Sequence, residues 1–168
     1  CGYEPEFIKI ENMAIGSGLT LENPPNKRYK GESSHALING MGGTINYQDK
    51  SWQGFEAEDL IAIIDLGSAK TINAVEVRFL QSQVFWIFLP YHIQIEHSSD
   101  GKNFELIYED FPSNDFSFEQ KIISYKANLD PFESRFIRVK GYNIDQCPDY
   151  HPGAGGPSWI FSDEIIIN

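Results

Sequence analysis

The feature that most constrains the fold of this chain is an alternation of apolar and polar residues. In the stretch LIAIIDL, residues 60–66, Leu60, Ala62, Ile64 and Leu66 fall on one face. A β-strand with one buried face has this pattern, because successive side chains point to opposite sides of the sheet. No segment shows the sustained 3.6-residue period of a capped helix. The pattern therefore predicts an all-β fold.

The same alternation recurs along the chain and predicts about eight strands. They begin at Phe7 and continue over residues 60–66, 72–80, 91–97, 104–110, 122–126, 135–140 and 160–167. An Asp-Gly pair in the stretch SSDGKNF predicts a tight turn between two of them. Short strands with Gly- and Pro-rich connections are typical of an antiparallel jelly-roll β-sandwich. We expect one domain over residues 1–168, with 1–30 as a lead-in and 31–168 as the sandwich core.

The net charge of −11 restricts the possible partners. Nucleic-acid binding needs a basic surface, and the densest positive group, Lys27, Arg28 and Lys30, is interpreted as a solvated loop. The chain contains no apolar run of 18 residues, so we expect no membrane insertion. We expect a monomer.

Cys1 is either the lipidated first residue of a bacterial lipoprotein or an arbitrary chain boundary, and we favour the boundary.

The stretch CPDYHPGAGGPSWIF, residues 147–161, is open to several chemical interpretations. A phosphate-binding loop is disfavoured, because no lysine and no helix follow the glycines. A Cys147–His151 pair could be a nucleophile with its base or part of a zinc site, but the flanking prolines prevent a regular helix. Only two cysteines exist, and a Cys1–Cys147 disulfide is possible but not required. A rigid loop remains the favoured interpretation.

Aromatic residues in predicted loops suggest sugar recognition. An aromatic ring covers the apolar face of a sugar, while amide and carboxylate groups bind its hydroxyls. The alternative is that the tryptophans belong to the core, and for each of them the two interpretations are about equal. The candidate carbohydrate-binding residues are Trp52, Gln53, Glu56, Gln81, Trp86, Tyr150, His151 and Trp159.

A calcium site is a further hypothesis. The segment 37–44 offers backbone carbonyls, the Asn39 amide and the Thr44 hydroxyl, and Glu164 in the last strand could complete the ligand set. A hydrogen-bonded turn is the simpler alternative. Asp163 and Glu164 are not expected to form a glycosidase pair, because neighbours on a strand point to opposite faces.

Several of these segments together resemble a known family. HALINGMGGTINYQDKSWQGFEAEDLIAIIDLG, INAVEVRFLQ, IEHSSDGKNFE, RFIRVKGYN and DEIIIN resemble a factor V/VIII type C (discoidin-like) domain. WQGFE and CPDYHPGAGGPSWIF are similar to the C-terminal module of bacterial family 20 glycoside hydrolases, the β-N-acetylhexosaminidases or chitobiases. The resemblance implies an eight-stranded jelly roll related to family 32 carbohydrate-binding modules. It also implies a calcium-stabilised loop around Asn39–Thr44 with Glu164.

The resemblance implies a non-catalytic carbohydrate-binding module of a secreted bacterial β-N-acetylhexosaminidase. Its partners would be a GlcNAc- or galactose-type glycan and the catalytic domain of the parent enzyme. From the candidate residues themselves, we expect loops 46–56, 81–88 and 147–159 to form the binding surface. The protein would be periplasmic, extracellular or attached to the cell surface. The catalytic barrel of such enzymes needs roughly 250 residues, more than this chain has, so we expect no hydrolysis here. The alternative is a structural module that packs on that barrel without binding sugar.

Overall fold

A computed structural model describes residues 7–168, and Cys1 lies outside this range. The regular secondary structure of the described residues is almost entirely β, which confirms the predicted antiparallel β-sandwich. Its strands are β1 (Ile8–Lys9), β2 (Gly18–Leu21), β3 (Met41–Gly42), β4 (Gln53–Glu56), β5 (Leu60–Gln81), β6 (His92–Ser98), β7 (Glu105–Asp110), β8 (Lys121–Tyr142) and β9 (Trp159–Ile167). Two 3₁₀ turns cover Ala36–Ile38 and Gln83–Phe85. Within residues 7–168, no helix has the length and apolar character needed to cross a membrane.

Two long strands, β5 and β8, run through both layers of the sandwich. They pair antiparallel along their lengths, with a break in register between Asp65 and Lys70. Before the break, β5 lies between β2 and the last part of β8, which continues to β6 and β7. After the break, β5 lies between the first part of β8 and β9, which continues to β4. The two layers are therefore joined by the bend at residues 66–70.

The long strands differ from the sequence-based expectation. Segments 60–66 and 72–80 were predicted as separate strands, but they form one strand, β5. At the break Gly67 has a φ of +84°, which lets the chain bend without ending the pairing. Residues 122–126 and 135–140 are joined in β8 in the same way. The segment predicted as a lead-in contributes β2, which pairs with residues 62–65 of β5.

The core lies between the two layers and follows the predicted alternation. Leu60, Ala62, Ile64 and Leu66 are all buried, as the period of two requires. Their neighbours in the main cluster come from every long strand and include Val77, Phe79, Ile93, Ile95, Ile137, Val139, Ile160 and Ile165. A second, smaller cluster of Trp52, Leu80, Ile87 and Phe161 lies at the end of the sandwich opposite the bend. This cluster supports the loops at that end.

Neighbouring isoleucines on β5 provide a test of this packing. Ile64 is fully buried in the main cluster, whereas Ile63 is only partly buried on the opposite face. We expect Ile64→Ala to lower the free energy of unfolding by about 2–5 kcal/mol, because it removes buried methyl groups and leaves a cavity. Ile63→Ala is the matched control and should cost clearly less. Urea denaturation of both variants measures the difference, and equal losses would contradict the assigned faces.

Candidate functional site

Loops from both layers meet at the end of the sandwich opposite the bend, and we call this surface the rim. The rim consists of residues 43–52, 82–91, 111–120 and 143–158. Direct contacts join the loops: the rings of Tyr47 and Phe85 lie 4.5 Å apart, and Tyr150 Oη donates a hydrogen bond of 2.8 Å to the Asn114 carbonyl. The rim is therefore one connected surface.

Gln83 connects three of the rim loops from a buried position. Its Nε2 donates to the Asp115 carbonyl at 2.9 Å, and its Oε1 lies 3.1 Å from Tyr150 Oη. Its own carbonyl accepts a hydrogen bond from His151 Nε2. Only 1% of Gln83 is exposed, so these bonds are shielded from water and position the loops relative to one another.

The glycine-rich run of residues 153–156 packs under the Trp86 indole. A Cβ atom on Gly153 or Gly156 would lie 2.5 Å from that ring, so neither position has room for a side chain. Trp86 itself is in the left-handed region, with a φ of +66°, at the end of the 3₁₀ turn Gln83–Phe85. Trp86 is 37% exposed, so the glycines support a tryptophan that still reaches solvent.

His151 and Cys147 have structural roles in the loop. His151 Nδ1 accepts a hydrogen bond of 2.9 Å from the Gly153 N–H, so the proton lies on Nε2, which donates to Gln83. Both ring nitrogens are thus occupied within the protein. Cys147 is buried, and burial raises the pKa of its thiol. This arrangement favours the rigid-loop interpretation over a nucleophile or zinc ligand.

Trp52, Gln53 and Gln81, predicted as carbohydrate-binding residues, lie inside the protein. Trp52 is 1% exposed, and its Nε1 donates to the Thr44 carbonyl at 2.8 Å. Gln53 and Gln81 are also buried, and Gln81 Nε2 donates to the Glu119 carbonyl. The prediction that Trp52 stacks on a sugar is therefore wrong, because its ring is buried and supports the rim from beneath.

The remaining candidates occupy different parts of the surface. Tyr150 is 39% exposed on the rim beside Phe116, with ring centroids 5.6 Å apart. Trp159 is partly buried, with its side chain 5.3 Å from the Tyr29 ring. Glu56 lies opposite Trp159 on β4 and is exposed. The structure thus brings Trp86, Tyr150 and His151 together but places Trp159 and Glu56 to one side.

An open pocket on the rim is lined by residues that were not among the individual candidates, although four of them lie in the predicted binding loops 46–56 and 81–88. Its volume is about 430 Å³, and its lining consists of Ile45, Asn46, Tyr47, Gln48, Phe85 and Gln120. Phe85 is 46% exposed and forms an aromatic wall with Tyr47. Three carboxamides surround the two rings, which is the combination that sugar recognition requires. The stretch INYQD, a tyrosine between amides in a long loop, is the signal that could have revealed it.

The proposed calcium ligands do not fit a calcium ion. Both Glu164 oxygens accept hydrogen bonds from backbone N–H groups, Oε1 from Asn39 and Oε2 from Gly40. Asn39 Oδ1 accepts from the Met41 N–H, and the Thr44 hydroxyl oxygen accepts from the Asn46 N–H at 3.3 Å. Calcium needs oxygens that converge on one point, whereas this loop presents N–H donors to Glu164. The hydrogen-bonded turn is therefore the better description of this segment.

The two adjacent carboxylates of β9 are buried on opposite faces of the strand. Asp163 pairs with Arg78 at 3.0 Å and accepts from the Gly43 N–H, yet burial raises its pKa to about 6. Burial also raises the pKa of Glu164 to about 8, although Asn12 and the Gly40 N–H oppose the shift. Burial outweighs the local donors at both positions, so the folded state retains protons that the unfolded chain releases.

The fold is shared with solved carbohydrate-binding proteins. CpGH89CBM32-6 produced by Clostridium perfringens matches 94% of this chain and 98% of its own, with 18% identity and a TM-score of 0.57. Chitosan-binding module 2 of a Paenibacillus sp. IK-5 chitosanase/glucanase, in complex with chitotriose, matches 93% and 98%, with 13% identity and a TM-score of 0.58. The Ruminococcus gnavus GH29 fucosidase E1_10125, in complex with fucose, matches 94% of this chain and 26% of its own, with 13% identity and a TM-score of 0.60.

These likenesses establish that the chain shares the antiparallel β-sandwich fold of these structures. No family model and no curated protein matches the sequence. Assignment of a function therefore depends on the rim itself.

The buried carboxylates predict an unusual dependence of stability on pH. Since the folded-state pKa values of Asp163 and Glu164 are raised, their contribution to stability is greatest at low pH and is lost as pH rises through those values. We expect the free energy of unfolding to fall by on the order of a few kcal/mol between pH 5 and 8. Urea denaturation at each pH measures it. In Glu164→Gln the free energy of unfolding should depend less on pH above pH 6. A wild-type stability that rises between pH 5 and 8 would contradict the raised pKa values.

Because Trp86 packs on the glycines, a side chain added at Gly153 should destabilise the protein. Gly153→Ala should lower the free energy of unfolding by about 1–3 kcal/mol, because its Cβ would overlap the indole. Ala154→Ser is the matched control, since Ala154 is an exposed neighbour in the same loop. Thermal unfolding of both variants provides the measurement, and an unchanged Gly153→Ala protein would show that the ring is not held there.

Proposed function

We propose that this protein is a non-catalytic carbohydrate-binding module whose glycan site is the rim pocket between Tyr47 and Phe85. The observation that carries the proposal is an open pocket with two aromatic rings and three carboxamides. The likeness in fold to a chitosan-binding module solved with chitotriose supports it. Exposed aromatic side chains at Trp86 and Tyr150 continue the surface beyond the pocket.

The pocket is suited to a neutral sugar of the GlcNAc or galactose type. The Tyr47 and Phe85 rings can cover the C–H face of a pyranose, and Asn46, Gln48 and Gln120 can exchange hydrogen bonds with hydroxyl or acetamido groups. The lining contains no charged side chain. A neutral sugar therefore meets no unpaired charge there.

The module would serve a larger enzyme by holding it on its substrate. Weak binding by a tethered module raises the local concentration of glycan for the attached catalytic domain. We propose a secreted bacterial β-N-acetylhexosaminidase of the chitobiase type as the parent, located in the periplasm or outside the cell. The similarity of WQGFE and CPDYHPGAGGPSWIF to modules of that class supports this. The fucosidase, of which only a quarter aligns with this chain, shows that such a fold occurs within a longer enzyme.

The structural alternative is a module that packs on the catalytic barrel without binding sugar. Phe116 and Phe118, on the rim loop 111–120, are more than half exposed and contact each other edge to face. Exposed apolar rings of this kind are also found in interfaces between domains. The two functions differ in whether isolated sugars bind the rim.

Single substitutions in the pocket test the proposed function. A glycan array on the isolated protein should identify a ligand, and isothermal titration should then show about three- to tenfold weaker binding for Tyr47→Ala and Phe85→Ala, since each removes a stacking ring. Tyr91→Ala is the matched control, because Tyr91 is an exposed aromatic residue that does not line the pocket. Unchanged affinity in both pocket variants would place the site elsewhere, and absence of any glycan ligand would favour the structural alternative.

A further inference from the structure

Two more cavities continue from the rim pocket along the side of the protein. The second, about 320 Å³, shares Gln48 with the pocket. The third, about 560 Å³, shares Lys27, Lys30, Gly31 and Glu32 with the second. We call the second and third cavities together the basic groove. Because each cavity shares lining residues with the next, the three lie next to one another along one side of the protein.

The groove concentrates positive charge on a strongly acidic protein. The chain has 13 lysines and arginines against 24 acidic residues, yet four cations line this groove. They are Lys27, Arg28, Lys30 and Lys50, and the acidic lining residues are Glu32 and Asp49. Among the described residues, none of the four cations forms an ion pair. The Asp49 carboxylate is occupied by the N–H groups of Thr44 and Ser51.

The floor of the groove combines apolar surface with an unpaired acceptor. Leu19, Leu21, Pro24 and Pro25 line the third cavity and provide an apolar face. Gln53, also in its lining, is 1% exposed and donates from Nε2 to the Lys30 carbonyl at 3.0 Å. Its Oε1 has no hydrogen-bond partner among the described residues, which is costly for a buried polar atom.

We propose that the basic groove binds an acidic sugar residue, one that carries a carboxylate or a sulfate ester, next to the neutral residue held in the rim pocket. The ring would pack on the prolines and leucines, and its anionic group would face Lys27 and Lys30. This inference rests on the proposed function, because the groove lies beside the Tyr47–Phe85 pocket and shares Gln48 with it. Cations in a cleft with low-dielectric walls attract an anion more strongly than the same charges on an open surface. The module would thus select glycans that combine neutral and acidic residues.

The double variant Lys27→Ala/Lys30→Ala tests the groove. Both side chains are exposed, so their removal leaves the core intact. Isothermal titration at low salt should show about tenfold weaker binding of trigalacturonate or of a sulfated chitotriose, and unchanged binding of neutral triacetylchitotriose. The matched control is Lys102→Ala/Lys126→Ala, which removes the same charge at exposed positions outside all three cavities. The loss should shrink at high salt, since exposed charges are screened.

Several outcomes would overturn the inference. Equal losses in the two double variants would show an effect of net charge alone. Competition by sodium sulfate together with no preference among acidic sugars would show a simple anion site. If triacetylchitotriose binds and acidic sugars do not, the groove fails while the proposed function stands. If acidic sugars bind through Lys27 and Lys30 but Phe85→Ala has no effect, the groove stands and the rim pocket fails.

Discussion

The antiparallel pairing of β5 with β8 is the constraint on which the rest of the structure depends. Each strand is 22 residues long and contributes to both layers. Because both bend at the same place, the start and the end of β5 lie at the same end of the sandwich. The loops that follow β5, β7 and β8 therefore emerge together, and the rim forms where they meet. The position of the candidate site is a consequence of this pairing.

The rim is held by contacts that leave little freedom to its loops. Buried Gln83 joins three loops by hydrogen bonds, and the glycines at 153 and 156 support the Trp86 ring. Beneath them, Trp52 fills the small core cluster and fixes the loop at Thr44. A surface held in this way binds its ligand with little loss of conformational entropy, which favours binding of small sugars that make few contacts.

Sequence alone could predict the layers of this fold but not its bends. The buried positions Leu60, Ala62, Ile64 and Leu66 follow from alternation, which depends only on the geometry of a strand. Whether a glycine such as Gly67 ends a strand or bends it depends on the pairing with β8, which local sequence does not contain. For this reason the predicted strands 60–66 and 72–80 form the single strand β5, and 122–126 and 135–140 form the single strand β8.

The candidate site shows the same limit for individual side chains. Trp52 and Phe85 both lie in loops, but Trp52 is buried and Phe85 is exposed, because the difference is set by neighbours distant in sequence. The sequence analysis grouped Glu164 with the segment around Asn39 as calcium ligands, and in the structure Glu164 accepts hydrogen bonds from the N–H groups of Asn39 and Gly40. The orientation of two peptide groups decides whether a carboxylate meets carbonyl oxygens or N–H groups, and composition does not reveal it.

The distribution of charge resolves an apparent conflict between an acidic protein and an acidic ligand. A net charge of −11 repels polyanions at long range, which disfavours nucleic acid. At physiological salt, however, exposed charges are screened beyond about 8 Å, so a bound sugar responds mainly to its nearest neighbours. In the basic groove those neighbours are four cations, Lys27, Arg28, Lys30 and Lys50, against two acidic residues, Glu32 and Asp49. Long-range repulsion combined with local attraction favours short or sparsely charged glycans over densely charged polymers. The rim pocket, whose lining has no charged side chain, likewise favours a glycan that carries a neutral residue.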